Sequence, residues 1–193
     1  MGELEAWTAW RNGDGAAGQA LVEQHFLAVY RFFSTKLPDE ADDLSQATFA
    51  ACVEGRASFR GDASFRSFVL GVARKQLLRH LEGRGLLMGG RAVSEVSIAD
   101  LVPSPSSAVA HAERRALLID AMRTIPLDFQ MVLELHYWEG LPTQAVAEVL
   151  EVAQGTVKSR LSRAREQLKS ALERQQASSG VPLEDELRAA FRD

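Results

Sequence analysis

An all-α protein, two small helical domains joined by a flexible linker, is the fold class this sequence predicts, and three observations carry it. Apolar residues recur at helical spacing along nearly the whole chain, with no alternating run of β-branched residues to make a strand. Glycine, proline and asparagine clusters cut that pattern into helices of ordinary length. Between residues 83 and 108, Gly83, Gly85, Gly89, Gly90, Pro103, Pro105 and the Ser104, Ser106, Ser107 cluster break any regular element. A structureless stretch of that length belongs between domains rather than within one. The expected layout is a domain over 1–82, a linker over 83–108, a second domain over 109–174 ending in a helix-turn-helix, and a tail over 175–193.

Each element has its own reason. Asn12-Gly13-Asp14-Gly15 closes a short first helix, Leu37-Pro38-Asp39 closes a second over about 16–36, and a third fills about 40–55. The segment Phe59-Arg60-Gly61-Asp62-Ala63-Ser64 reads as a loop. A fourth helix runs from about Ser64 to Leu81, with Phe65, Phe68, Val69, Val72, Ala73, Leu77 and Leu81 at burial spacing. In the second domain a helix ends at Thr124, another follows Ile125-Pro126 and continues to Trp138, and Glu139-Gly140-Leu141-Pro142 turns the chain. Two helices follow, over roughly 143–150 and 154–174. The tail segment from Val181 to Phe191 has Leu183, Leu187, Ala190 and Phe191 at the spacing of a short amphipathic helix, or it frays.

Of 193 residues, 46% are apolar and 25% charged, so each domain can bury an ordinary core. The formal net charge of −4 argues against a polyanion partner only when taken whole. Residues 1–55 carry −6, 56–91 carry +6, 92–153 carry −6, 154–174 carry +4 and 175–193 carry −2. Two basic islands set between acidic stretches point to two separate polyanion contacts. The single Cys52 cannot form an intramolecular disulfide and fits a reducing cytoplasm. The acidic N-terminus lacks the pattern of a signal peptide, and no apolar run reaches membrane-spanning length, so a soluble intracellular protein is expected.

The most informative stretch runs from Pro142 to Arg165. Thr143 is placed to cap a short helix whose Val146, Ala147 and Leu150 face inward, the chain turns at Glu151-Val152-Ala153, and a second helix starts near Gln154. On that helix Val157, Leu161, Ala164, Leu168 and Leu172 form one buried stripe. Gly155, Thr156, Ser159, Ser162 and Arg163 face away, flanked by Lys158, Arg160 and Arg165. Small residues allow close approach to a major groove, arginines reach phosphates or guanine edges, and a helix N-terminus donates amides to phosphate. A solvated basic helix would show similar charge, but not the preceding helix and tight turn. Ala153 breaks one local rule, standing at the cap position where Ser, Thr, Asp or Asn stabilises by about 1 kcal/mol.

The first island sets cations beside aromatics. Arg74, Lys75 and Arg79 lie on the flank of the fourth helix away from Phe65 and Phe68, which read as core. Phe59, in the loop, is better placed to stack on an unpaired base.

Together these residues resemble the sigma-70 superfamily of bacterial RNA polymerase sigma factors, in its two-domain extracytoplasmic-function group, over roughly 16–82 and 112–174. The resemblance is carried by Ala41-Asp42-Asp43-Leu44-Ser45-Gln46-Ala47-Thr48-Phe49, by Phe59 to Phe65 with Val72-Ala73-Arg74, and by Ile125-Pro126. Tyr137-Trp138-Glu139-Gly140-Leu141 and Gly155 to Arg165 complete it. It implies that Asp42, Asp43, Leu44, Gln46 and Phe49 dock on the clamp helices of core RNA polymerase, with a second contact at the polymerase flap. It implies that Phe59, Arg60, Gly61, Asp62, Ser64, Arg74, Lys75 and Arg79 open and read the −10 promoter element. It further implies that Thr143, Gln154, Gly155, Thr156, Lys158, Ser159, Arg160, Ser162, Arg163 and Arg165 read the −35 element, that the linker threads polymerase channels, and that an anti-sigma factor regulates the chain. Lys75, Phe68, Ala153 and Gln154 depart from the residues common in that family.

Other classes fit the sequence less well. His25, His80, His111 and His136 are scattered without ligand spacing, and Cys52 has no histidine partner, so neither a metal cofactor nor thiol catalysis is indicated. No phosphate-binding or dinucleotide fingerprint is present, and Asp42 and Asp43 point to different helix faces, so an enzyme is not expected. A sigma-like decoy that binds an anti-sigma factor without engaging DNA would have lost its basic islands. A stand-alone helix-turn-helix repressor would have no use for the first domain.

Overall fold

A computed structural model describes residues 2–55, 64–87, 93, 96–101 and 110–179; for 101, 110–115 and 178–179 it describes the backbone alone. Within these residues the chain is helical, the one β-type feature being an isolated bridge between Ser97 and Pro126. It divides into two compact units that part between Arg84 and Gly85.

The first unit contains α1 (Glu3–Arg11), α2 (Gly15–Ser34), a 3-10 turn over Pro38–Glu40, α3 (Ala41–Glu54) and α4 (Phe65–Gly83). Gly13, with φ +104°, lets the chain reverse after α1. Asp14 then caps α2 by accepting from the amides of Ala16 and Ala17 at 3.0 and 3.1 Å. The core gathers around Trp7, whose ring lies 5.3 Å from those of Trp10 and Phe65 and 5.8 Å from Phe68. Leu21, Val29, Phe33, Val69, Leu70, Leu77 and Leu81 complete it. Two positions expected inside, Phe68 and Val72, are half-buried. Trp10 packs so closely on α2 that a Cβ at Gly18 would stand 2.3 Å from its Nε1.

The second unit contains α5 (Ile98–Leu101), α6 (Ala110–Thr124), α7 (Leu127–Leu133), a π turn over Glu134–Trp138, α8 (Thr143–Leu150) and α9 (Gln154–Ser179). Part of the predicted linker is therefore structured. Val96 and Ile98 are fully buried, and the Leu127 amide donates to the Val96 carbonyl at 2.8 Å. Two β-branched side chains amid glycines and prolines had no periodicity to announce them, yet they supply apolar area to a small domain. The helix expected from Pro126 to Trp138 widens to π geometry after Leu133, where the Glu139 amide donates to the Glu134 carbonyl five residues back at 3.0 Å.

Candidate nucleic-acid interface

α8 and α9 form the predicted helix-turn-helix. Val146, Ala147, Val149 and Leu150 of α8 and Val157, Leu161, Ala164, Leu168 and Leu172 of α9 are all buried. The turn is made by Glu151, which takes a left-handed φ of 56° while the Val152 amide donates to the Ala147 carbonyl at 3.0 Å. A residue with a side chain is strained there, which marks the turn as fixed by its surroundings.

Thr143 differs from expectation. α8 begins at Thr143 itself, after Pro142, so Thr143 is inside the helix rather than at its cap. Its hydroxyl accepts a 2.9 Å bond from Gln154 Nε2, which ties the starts of the two helices together. Ala153 does precede the first residue of α9, and its carbonyl accepts from the amides of Thr156 and Val157.

Around α9, Gln154, Gly155, Lys158, Ser159, Ser162, Arg163 and Arg165 are exposed and Thr156 is half-buried. Ser159 bonds back to the Thr156 carbonyl at 2.9 Å, which keeps its side chain short against the helix. Arg165 reaches Tyr137 Oη at 3.4 Å. Arg160 departs from the others. Its Nη2 lies 2.7 Å from Asp128 Oδ2 at the start of α7, with the two side chains 21% and 10% exposed. An arginine so engaged faces its own domain.

In the first unit Phe59, Arg60, Gly61 and Asp62 lie outside the described residues. Ser64 is present and caps α4, accepting from the Ser67 amide at 3.1 Å. Along α4, Lys75 and Arg79 are exposed and Arg74 is half-buried. The far end of α4 is held by Glu40, approached by both Arg84 and His80.

Of the residues expected to dock, Asp42, Asp43 and Gln46 are exposed on α3, whereas Leu44 and Phe49 turn inward at 8% and 7% exposure. The spacing explains this, since Leu44, Thr48 and Phe49 share the inner face of α3 with Ala41 and Cys52. Sequence reasoning missed the aromatic surface beside them. Phe26 of α2 is 39% exposed and stacks on Phe49 and Tyr30 at 6.2 and 6.1 Å, and Val53 is 42% exposed. A large aromatic off the buried stripe of α2 was the available signal.

No helix among the described residues is long and apolar enough to cross a membrane. No three His, Cys, Asp or Glu side chains among them converge as a metal site would require. His25 instead lies 2.8 Å from Glu3, and His136 Nδ1 lies 2.8 Å from the Leu141 carbonyl oxygen.

A helix-turn-helix presenting glycine, serines and cations on its second helix, in a chain with a separate helical domain, has the architecture of the DNA-binding helix-turn-helix class. The family model for sigma-70 region 2 matches residues 21–86 and that for sigma-70 region 4 matches residues 115–168, together well over half the chain. The chain is 28% identical over 148 residues to the RNA polymerase sigma-H factor of Pseudomonas aeruginosa strain PAO1, covering 69% of this chain and 74% of the relative. It is 24% identical over 165 residues to the ECF RNA polymerase sigma-E factor of Escherichia coli strain K12, covering 81% and 86%. Among solved structures, CnrH in complex with the cytosolic domain of CnrY aligns with a TM-score of 0.67 at 20% identity, over 89% of this chain and 97% of that one. The sigma factor RpoE of Bartonella quintana, in complex with the anti-sigma factor NepR, aligns with a TM-score of 0.63 at 21% identity, over 80% and 96%. The chain belongs to the sigma-70 family, in its extracytoplasmic-function group, and is a promoter-recognising sigma factor.

Proposed function

We propose that this sigma factor divides promoter recognition between its two domains and works only when delivered by core RNA polymerase. In this reading the domain over 1–82 docks through the α2–α3 face, with the acidic Asp42 and Asp43, Gln46 and the exposed aromatic edge of Phe26 presented to the polymerase clamp helices. The loop ahead of α4, with Ser64, Arg74, Lys75 and Arg79 behind it, opens and reads the −10 element, and the segment over 83–108 runs through the polymerase. The helix-turn-helix over 109–174 reads the −35 duplex through Gly155, Lys158, Ser159, Ser162 and Arg163, with Thr143 and Gln154 setting its angle, while the flap supplies a second polymerase contact. The chemistry of RNA synthesis belongs to the polymerase, the chain contributes no catalytic group, and its place of work is the cytoplasm. An anti-sigma factor that covers the basic faces would silence it.

The observation that carries this reading is the exposed face of α9, where small residues stand between Lys158 and Arg163. Few cations neutralise few phosphates, so the free chain should bind duplex weakly. Fluorescence anisotropy on a promoter duplex, with and without core polymerase, tests both halves. Tight binding is expected only with polymerase, and Arg163→Ala should weaken it and lower the slope of log affinity against log salt by about 1. A chain that joins polymerase yet gains no duplex affinity, or an unchanged slope for Arg163→Ala, would contradict the proposal. A chain that binds only an anti-sigma factor would be the decoy instead.

A further inference from the structure

We infer that Arg160 is a positioning residue for −35 recognition, which sets the rotation of the reading helix through Asp128 and does not itself contact DNA. The inference rests on the promoter reading above and changes the role of one of its cations. At about 100° per residue, Arg160 lies about 80° from the middle of the stripe formed by Val157, Leu161, Ala164, Leu168 and Leu172, and about 100° from the middle of the opposite, exposed face. It stands on the boundary, and its partner decides which way it turns. Asp128 is the second residue of α7, itself 7% exposed, and its carboxylate meets the guanidinium at 2.7 Å.

The setting of Asp128 makes it a firm post. α7 starts at Leu127, whose amide is bonded to Val96, and the amides of Phe129 and Gln130 donate to the Pro126 carbonyl at 2.8 and 2.9 Å. A carboxylate in the first turn of a helix is further favoured by the helix dipole. α7 and α9 pack on each other, and Leu127, Met131 and Leu133 of α7 and Val157, Leu161 and Ala164 of α9 are all buried. Apolar packing sets the approach of the two helices and limits their rotation. A charged bond at the edge of the packed stripe adds a directional constraint that narrows that rotation further. Rotation matters here because Ser159, Ser162 and Arg163 must present to one groove together.

The two roles for Arg160 differ in salt dependence. Holoenzyme reconstituted with the wild-type chain is used to enrich a −35 duplex from a random-sequence pool, and that enrichment scores the promoter reading itself. The variants are then compared on the enriched duplex, at a temperature well below their melts. Positioning predicts that Arg160→Met and Asp128→Asn each lower affinity by about tenfold, with the slope of log affinity against log salt unchanged, while Arg163→Ala lowers the slope by about 1. The double variant should lose no more than either single one, and Asp128→Glu, which keeps the charge, should recover much of the affinity. Arg160→Lys keeps a cation able to reach phosphate but loses the forked geometry, so its affinity should fall at constant slope, and it serves if Arg160→Met does not fold. Two results would overturn the inference. One is a slope lowered by about 1 in the Arg160 variant that folds without a cation. The other is an Asp128→Asn affinity equal to or above wild type, because freeing the arginine would then cost nothing.

Discussion

At the residue scale, Glu3 does two jobs that no local pattern announces. One carboxylate oxygen lies 2.8 Å from His25 Nε2, and the other accepts from the Phe65 amide at 3.1 Å. That amide is one of the orphan donors at the start of α4, so the first helix of the chain helps hold the fourth, just after the predicted −10 loop. His25 reads from sequence as an ordinary structural histidine, and it is one, but its partner 22 residues upstream belongs to another helix and could not be read from spacing. Burial holds the imidazole below its ordinary value of 6.5, the Glu3 carboxylate opposes that shift, and the Arg66 charge adds to it. The unfolded chain therefore takes up a proton at His25 before the folded one does. The stability of the first domain should be fully present above pH 6.5 and fall as the pH drops from there through the lowered folded value. Melting curves between pH 7.5 and 5 should show that slope in wild type and a smaller one in His25→Gln; equal slopes would remove His25 as the cause. Cys52 shows the same physics without a partner, since burial pushes its thiol up to about 12 and leaves it a packing residue.

At the scale of elements, helix order was legible because each boundary has a chemical signature, such as Asp14, Ser64 or the Ile125-Pro126 pair, whereas α9 runs to Ser179, past its expected end at 174, where no breaker stands before Gly180. What was not legible came from contacts distant in sequence. Gly18 reads as a mild helix weakener, yet it is the seat of the Trp10 indole. Gly18→Ala should destabilise the first domain by about 1–3 kcal/mol despite the better helix propensity of alanine, because the ring is walled in by Trp7 and Phe65 and has nowhere to go. A chemical melt with no loss would show that α1 can shift freely. The buried Val96 and Ile98 were hidden among turn-formers, and the π turn was hidden because apolar spacing barely changes over five residues. At the site, the stripe of α9 was readable from period alone, whereas the inward turn of Arg160 needed Asp128, and the exposure of Phe26 needed the α2–α3 packing. The cap of α9 remains as read, with Ala153 directly before the helix. Ala153→Ser should stabilise the second domain by about 1 kcal/mol, seen as a raised thermal midpoint for its transition; a lowered one would place the cap elsewhere.

At the scale of the whole molecule, the net charge of −4 is the residue of strongly opposed blocks. The positive ones coincide with α4 and α9, and the first negative one includes the exposed Asp42 and Asp43. In the proposed reading such a protein is repelled from DNA over its acidic surface and attracted at two short helical faces, so its affinity for promoters should depend on polymerase. Polymerase should therefore be what makes this chain a promoter reader. The most direct measurement is run-off transcription with purified core polymerase on a genomic promoter library, with and without the chain, mapping the transcript starts. The account predicts that adding the chain produces discrete starts, each preceded by a shared pair of elements near −10 and −35, and that Arg163→Ala lowers their yield. Starts distributed as with core polymerase alone, despite a stable complex of chain and polymerase, would contradict it.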